Sequence, residues 1–306
     1  MADPKVSIIL PTNRASPFLQ EALASVAAQT YPAWELILVD NGVPDGRGLR
    51  ELVAGFEKMR VVAAPPVSLG FARNAGVEQA RGDYYVFHDD DDVWAADRLA
   101  LQVAALETSP DAPAVFVGGW HMDAEGTPFG PGFPARPASA DDMLRGAVPT
   151  PHICGTLMVR RRSHVLVGGF APELAIMEDF EYMLRLLELG TFACVEGQHL
   201  GYRRHDGNLT NTGWRNVAQR RSIMRGSLLR LADGARDRGD TRVEGLYREH
   251  LRRFDERSSE EAGGTVVAAI RRGEWGAARS GAAWGIRRSP ARFLGAGFAR
   301  ATRRSG

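Results

Sequence analysis

In Arg81-Gly-Asp-Tyr-Tyr-Val-Phe-His-Asp-Asp-Asp-Asp92, a turn leads into four bulky residues, and after one histidine the chain enters four consecutive acids. A short β-branched and aromatic run behind a Gly-Asp turn reads as a buried strand, Tyr84 to Phe87. The acids then lie where the sheet ends. Like charges in a row repel one another, so the run favours a bound cation, and hard oxygen ligands suit Mg²⁺ or Mn²⁺ better than zinc. The plainer alternative is a solvated acidic turn or helix cap leading to Trp94.

Upstream of this stretch, strand and helix alternate. Val6-Ser-Ile-Ile-Leu10 closes at Pro11, and Ser16-Pro17 supplies a helix start followed by Phe18, Leu19, Ala22, Leu23 and Val26 at helical spacing. Trp34 to Val39 is a second strand ending at Asp40-Asn-Gly42, Leu49 to Lys58 a second helix, and Arg60 to Ala63 a third strand. Leu69 opens a helix that runs to about Ala80. Downstream, the spacing predicts a helix from Asp97 to Thr108, strands at Ala114–Gly118 and Thr156–Arg160, and a helix from Phe180 to Leu189. The Pro- and Gly-rich segment from Asp123 to Ser139 reads as a long loop. Such alternation predicts an α/β fold whose sheet is mostly parallel and covered by helices, with the ligand crevice at the carboxyl ends of the strands. Pro11 to Arg14, Asp40 to Gly42 and His88 to Asp92 are such ends.

The chain has 306 residues, 44% hydrophobic and 25% charged, enough to bury one large core with an appendage. Its formal net charge of +1 conceals an uneven distribution. From Trp214 the pattern is helical and rich in arginine, with Gly263-Gly264 and Ser289-Pro290 as breaks, and between Arg271 and Arg304 Glu274 is the only acid. A domain boundary is expected near residue 214. The basic stretch, which carries Trp275, Trp284, Ile286, Phe293, Leu294 and Phe298, suits an anionic membrane surface, an acidic partner, or simple packing with solvated arginines. Near-neutral charge and the lack of a recognition motif argue against nucleic acid. The amino terminus reads as no secretory signal and no apolar run reaches eighteen residues, so a cytoplasmic protein is expected, with peripheral contact at the inner membrane face through the basic helices. Cys154 and Cys194 at that spacing indicate neither a disulfide framework nor a zinc site.

Val6 to Arg14, Leu38-Val-Asp-Asn41, Leu69-Gly-Phe-Ala-Arg-Asn74 and Asp89 to Trp94, followed by Glu178-Asp179, resemble in order and spacing the family 2 glycosyltransferases, the inverting group with the GT-A fold. The resemblance covers about residues 5 to 212. It implies a Rossmann-like GT-A catalytic domain over residues 1–213, its nucleotide-sugar half at about 1–118 and its acceptor half at about 119–213, with 214–306 as a helical carboxyl-terminal region. By the same resemblance Pro11, Thr12, Asn13 and Arg14 line the base pocket, Asp40 contacts the base, and Arg73 and Asn74 lie near the donor. Asp89 and Asp91 form the Asp-x-Asp pair: Asp91 is the first metal ligand, with Asp89 beside it, and Asp89 or Asp90 sits near the ribose. His205 adds a metal or phosphate contact. Asp179 becomes the general base, with Glu178 beside it, and Trp120 and His152 face the acceptor.

The implied reaction moves a sugar from a nucleotide diphosphate, UDP foremost, to a hydroxyl or amine of a glycan, lipid carrier, natural product or peptide. The acids at 178 and 179 also suit a helix dipole, and Trp120 also suits a packed core. A nucleotidyltransferase of related fold or a non-catalytic nucleotide-sugar binder are the alternatives. The first lacks its usual glycine- and arginine-rich loop here, and the second fits poorly with Asp91 and Asp179 in place. A dinucleotide-binding dehydrogenase is excluded by Pro11-Thr-Asn-Arg14 where Gly-x-Gly-x-x-Gly would stand.

Overall fold

The computed structural model describes residues 5–44, 46–139, 141–142, 153–174, 176–208 and 214–302. They divide into two compact units, residues 1–208 and 209–306. In the first, β1 (Val6–Thr12), β2 (Trp34–Asp40), β3 (Met59–Ala63) and β4 (Tyr84–Phe87) lie side by side in the order β3-β2-β1-β4, all parallel. Helices α1 (Pro17–Ala27), α2 (Gly46–Val53) and α3 (Leu69–Glu78) make the crossovers. The reasons are local: β1 and β2 are almost continuously apolar and buried on both faces, as parallel strands are. Ser16 Oγ accepts the Leu19 N–H at 3.2 Å to start α1, with Pro17 at its first position. Ser68 Oγ does the same for the Phe71 N–H of α3 at 3.1 Å. At Gly76 an added Cβ would lie 2.5 Å from Ile9, so only glycine lets α3 settle onto β1.

Beyond β4 the sheet is mixed, which departs from the mostly parallel expectation. The acids replace a crossover helix, and the chain passes through the two-residue β5 (Val93–Trp94) into α4 (Arg98–Thr108). Next come β6 (Ala114–Met122), β7 (Pro128–Phe133), α5 (Ile153–Thr156), β8 (Leu157–Arg160), α6 (Arg161–Val167), α7 (Glu178–Glu188) and β9 (Ala193–Arg203). The order continues β4-β8-β6-β9-β5, where β8 runs antiparallel to β4 and β6, β9 is parallel to β6, and β5 is antiparallel to β9.

The segment from Asp123 to Ser139, expected to be a loop, contains β7, which folds back antiparallel on β6. Glycines at 118 and 119 permit that close approach, because a Cβ at Gly118 would stand 2.7 Å from the Phe133 carbonyl of β7 and one at Gly119 2.4 Å from the Phe133 ring. Two further departures concern helices. The expected Leu49–Lys58 helix is Gly46–Val53. In the second unit, Gly263-Gly264 does not break the chain but is buried inside the helix α9 (Thr241–Arg271).

That unit is built of α8 (Trp214–Asp237), α9, α10 (Trp275–Arg288) and α11 (Pro290–Thr302). Leu228, Ala232, Leu246, Tyr247 and Leu251 are buried, and the Arg225 guanidinium meets the Asp255 carboxylate at 3.1 Å. Asp240 accepts the Val243 N–H at 3.0 Å to start α9, and Ser289-Pro290 ends α10 and opens α11. Among the described residues no helix is long and apolar enough to cross a membrane.

Candidate active site

Registers fix where the site forms. Thr12 pairs with Asp40 and Asp40 with Ala63 at the carboxyl edge, whereas β4 stops at Phe87 opposite Ile9. His88 to Asp92 therefore turn beside the last residues of β1. The Thr12 hydroxyl donates to Asp90 Oδ2 at 2.5 Å, and the Arg14 guanidinium bridges Asp90 Oδ1 and Asp91 Oδ2, each at 3.2 Å. Asp91 Oδ2 also accepts from His205 Nε2 at 3.0 Å and Asn208 Nδ2 at 3.4 Å. Burial and the neighbouring Asp89 raise the Asp91 pKa, offset in part by His205.

Beneath the loop, Asp92 is fully buried, and its Oδ1 accepts the Arg203 N–H at 3.0 Å. Arg203 is buried too: its Nε donates to the Asp91 carbonyl and its Nη1 to the Ala124 carbonyl, both at 2.8 Å, while its Nη2 pairs with Glu21. One arginine thus joins α1, the β6–β7 turn and the acidic loop. His88 is buried with its ring 4.1 Å from Trp94, and burial together with the Arg98 charge pushes its pKa well below the ordinary value.

On the other side, the fully buried Arg73 of α3 donates to Glu178 Oε1 at 2.7 Å and to Asp89 Oδ1 at 3.0 Å. Burial opposes its charge, but the Cys154 thiol and the carboxylates of Asp89, Glu178 and Asp179 carry its pKa upward. Arg73 therefore ties the acidic loop to the start of α7. Met177 there has φ 64°, the single non-glycine residue with positive φ among those described. Such backbone costs on the order of 1–3 kcal/mol and gathers at functional sites. It directly precedes Glu178 and Asp179. Asp179 is half-buried and accepts the Phe180 N–H at 2.7 Å, and burial raises its pKa, with Arg73 pulling the other way.

The expected residues divide. Thr12, Arg14, Asp90, Asp91 and His205 form one hydrogen-bonded group and Arg73, Asp89 and Glu178 a second, the two meeting where Asp89 and Asp90 are consecutive in the loop, with Asp179 directly after Glu178. Pro11 is buried within β1 and Asn13 is exposed. Asp40 Oδ1 accepts the N–H groups of Gly42 and Val43 at 3.1 and 2.8 Å, shaping the turn after β2. Asn74 is taken up by the Phe170 backbone, donating at 2.8 Å and accepting at 2.9 Å. Trp120 is half-buried and leans on Gly201 of β9, where a Cβ would lie 2.7 Å from its ring. His152 lies outside the described residues. Sequence reasoning missed Asn208 and Arg203 as site components. Their signal was their place in Arg203-Arg-His-Asp-Gly-Asn208, whose histidine alone drew notice.

His205 Nδ1 accepts the Gly207 N–H at 3.1 Å, so the neutral ring carries its proton on Nε2 and donates it to Asp91. In this arrangement His205 orients Asp91 rather than offering a lone pair. Among the described residues no three His, Cys, Asp or Glu side chains converge in a metal-holding geometry. The donor set still fits a hard cation that takes few protein carboxylates and completes its shell on phosphate oxygens, the habit of Mg²⁺. Asp91, with Asp89 near it, would hold such an ion.

A sheet of this topology with an acidic loop at its carboxyl edge and a carboxylate at a facing helix start defines a GT-A glycosyltransferase. Residues 7–166, just over half of the chain, match the glycosyl transferase family 2 model, and the chain belongs to that family. It is 29% identical over 220 residues to the putative teichuronic acid biosynthesis glycosyltransferase TuaG of Bacillus subtilis, covering 69% of this chain and 84% of that one. It is 32% identical over 190 residues to the O-antigen biosynthesis protein RfbC of Myxococcus xanthus, covering 60% of this chain but 14% of that protein. The structure of S. aureus TarS residues 1–349 with UDP-GlcNAc superposes with a TM-score of 0.64 at 15% identity, over 96% of this chain and 91% of that one. The chain is thus a glycosyltransferase, and family membership favours this over the nucleotidyltransferase and binding-only alternatives.

Proposed function

We propose that this enzyme transfers a sugar from a UDP-sugar to an acceptor hydroxyl or amine with inversion at the anomeric carbon, using Asp179 as general base. The observation that carries this is Arg73, which couples Asp89 on the donor side to Glu178 next to the base. Asp179 takes the proton of the acceptor as the acceptor oxygen or nitrogen attacks the anomeric carbon. The bond from that carbon to the β-phosphate oxygen breaks, and the nucleoside diphosphate leaves with the electron pair. A raised Asp179 pKa makes it the stronger base once ionised, while the buried Arg73 keeps the ionised form accessible. A divalent ion at Asp91, when bound, neutralises charge on the leaving diphosphate. Thr12 and Arg14 fix Asp90 and Asp91, and His205 and Asn208 orient Asp91.

UDP is favoured because the TarS structures bind UDP-GlcNAc and UDP, and because a relative 30% identical over 107 residues is a UDP-Glc:α-D-GlcNAc-diphosphoundecaprenol β-1,3-glucosyltransferase of Escherichia coli, WfgD. For the acceptor, a cell-surface glycan or its lipid carrier suits these relatives. Residues 1–208 form the catalytic domain, Trp120 borders the acceptor side, and the basic helices meet the anionic inner membrane face in the cytoplasm. Calorimetric titration of UDP with and without Mn²⁺ tests the donor site. Wild type should bind in a metal-dependent manner and Asp91→Ala should lose that dependence. Absence of UDP binding under both conditions would sink the proposal.

A further inference from the structure

The second unit holds a cavity that the transfer reaction does not use. About 300 Å³ in volume, it lies at the elbow where α10 turns into α11 against α9, and Arg248, Arg252 and Arg288 line it together with Asp255, Glu256 and Ser289. Both acids already have an arginine of their own. Asp255 is engaged by Arg225, whose Nε donates to both carboxylate oxygens at 3.1 Å, and Glu256 Oε1 accepts from Arg252 Nη1 at 2.6 Å. Arg248 donates to Glu244 at 2.7 Å and to Asp233 at 3.1 Å. Arg288 is left over. Its Nε stands 3.9 Å from Asp255 Oδ1, too far for a hydrogen bond, and is buried with no hydrogen-bond partner among the described residues. Its Nη1 reaches the Trp284 carbonyl only at 3.5 Å, while the guanidinium carbon lies 4.1 Å from the centre of the Trp284 ring. Burial, and after it the Arg225 charge, lower the Arg288 pKa. A desolvated cation without a bonded counter-charge is costly, and an anion in the cavity would remove that cost.

We propose that this cavity binds a phosphate-bearing anion, with Arg288 as its central contact and Arg252 and Arg248 around it. Planar guanidinium groups pair best with carboxylate and phosphate. Phosphate fits better here, because three arginines face one space and a carboxylate offers only two oxygens. Each arginine keeps donors to spare among the described residues: Arg288 Nε, Arg252 Nε and Nη2, and Arg248 Nη1. Ser289 directly precedes α11, so the positive end of that 13-residue helix stands beside the cavity as well. The volume is at the lower end of the range for small-molecule pockets and exceeds what a simple ion needs. Such a phosphate belongs either to a soluble diphosphate or to a lipid headgroup. The site lies wholly within the second unit and does not depend on the donor reading of Asp91.

The test is calorimetric titration of inorganic diphosphate into the full chain in EDTA, which denies the probe a metal at Asp91. Wild type should bind, and Arg288→Gln should weaken binding by about tenfold or more, the loss of one charge-assisted contact. Arg279→Gln makes the same charge change at an exposed position of α10 outside the cavity, and should leave binding unchanged. Absence of diphosphate binding in wild type, or a loss in Arg288→Gln no larger than in Arg279→Gln, overturns the proposal. Should Arg288→Gln not fold, Arg252→Gln decides in its place, because that side chain is 61% exposed and its loss disturbs little packing. Sedimentation with phosphatidylglycerol vesicles then separates the two sources. For a lipid headgroup, Arg288→Gln sediments less than wild type and diphosphate displaces wild type from the vesicles. For a soluble ligand, sedimentation is indifferent to both while diphosphate binding still requires Arg288.

Discussion

In the proposed reaction Asp179 and Asp91 serve opposite halves of the chemistry, and single substitutions should separate them. Asp179→Asn should lower kcat by about 10²- to 10⁴-fold while leaving UDP affinity within about twofold, since it removes only the proton acceptor. Equal losses in turnover and in nucleotide binding would place Asp179 in the donor site instead. Because burial raises its pKa, turnover should fall as pH drops through a value above the ordinary aspartate range, and the acid limb should vanish in Asp179→Asn. The acids themselves were legible in the sequence, as a run of one charge behind an apolar strand. Their division of labour was not. That Asp90 binds Thr12, Asp91 faces His205 and Asp92 is buried depends on which way each turn of the loop points, and four identical residues carry no such mark.

At the scale of elements, the start of α7 is held under strain. Met177→Gly removes the cost of a left-handed residue with a side chain, and should raise stability by up to about 1 kcal/mol in chemical denaturation while lowering kcat, as the carboxylates after it lose their fixed geometry. Simultaneous loss of stability and rate would show that the Met177 side chain matters more than its backbone. Below this helix, His164 of α6 shares a 2.8 Å hydrogen bond with Tyr182 of α7 and is buried, which lowers its pKa to about 4, with the Arg185 charge adding to the effect. The unfolded chain therefore binds a proton between pH 6.5 and 4 that the folded one does not. Stability is full above pH 6.5 and declines toward pH 4, by an amount on the order of 3 kcal/mol from this group. Denaturation of wild type and His164→Gln across that range should show a shallower decline in the variant.

The parallel strands and α1 were readable because their apolar periods are unbroken and their caps are local. β9 was not, since Glu196, Gly197 and Gln198 interrupt it with exposed residues where the register to β6 shifts. β7 was hidden for the opposite reason. Pro-Phe-Gly-Pro-Gly-Phe looks like a loop, and becomes a strand only because the two glycines of β6 give it a surface to lie on.

For the whole molecule, the hydrogen-bonded site falls within residues 1–208, so that segment should bind UDP with an affinity close to that of the full chain. The second unit has a different character. On α10 and α11, Trp275, Ile286 and Leu294 are 68%, 51% and 51% exposed, beside the exposed Arg279 and Arg287. Large apolar side chains among arginines suit the headgroup boundary of anionic lipid. The full chain should sediment with vesicles containing phosphatidylglycerol, release at high salt, and ignore neutral vesicles. Trp275→Ala with Arg279→Ala and Arg287→Ala should abolish the association, and retention by neutral lipid would point to apolar contact alone.

Asp91 and His205 meet across 114 residues of chain. At about 5–20 residues per second, a ribosome needs roughly 6–23 s to cover that distance. Late in that interval, once the acidic loop has cleared the tunnel, the parallel half of the sheet can fold while the loop still lacks Arg203, His205 and Asn208. The hydrogen bonds that orient Asp91 therefore form only after its strand and loop have been made, as a late event in translation.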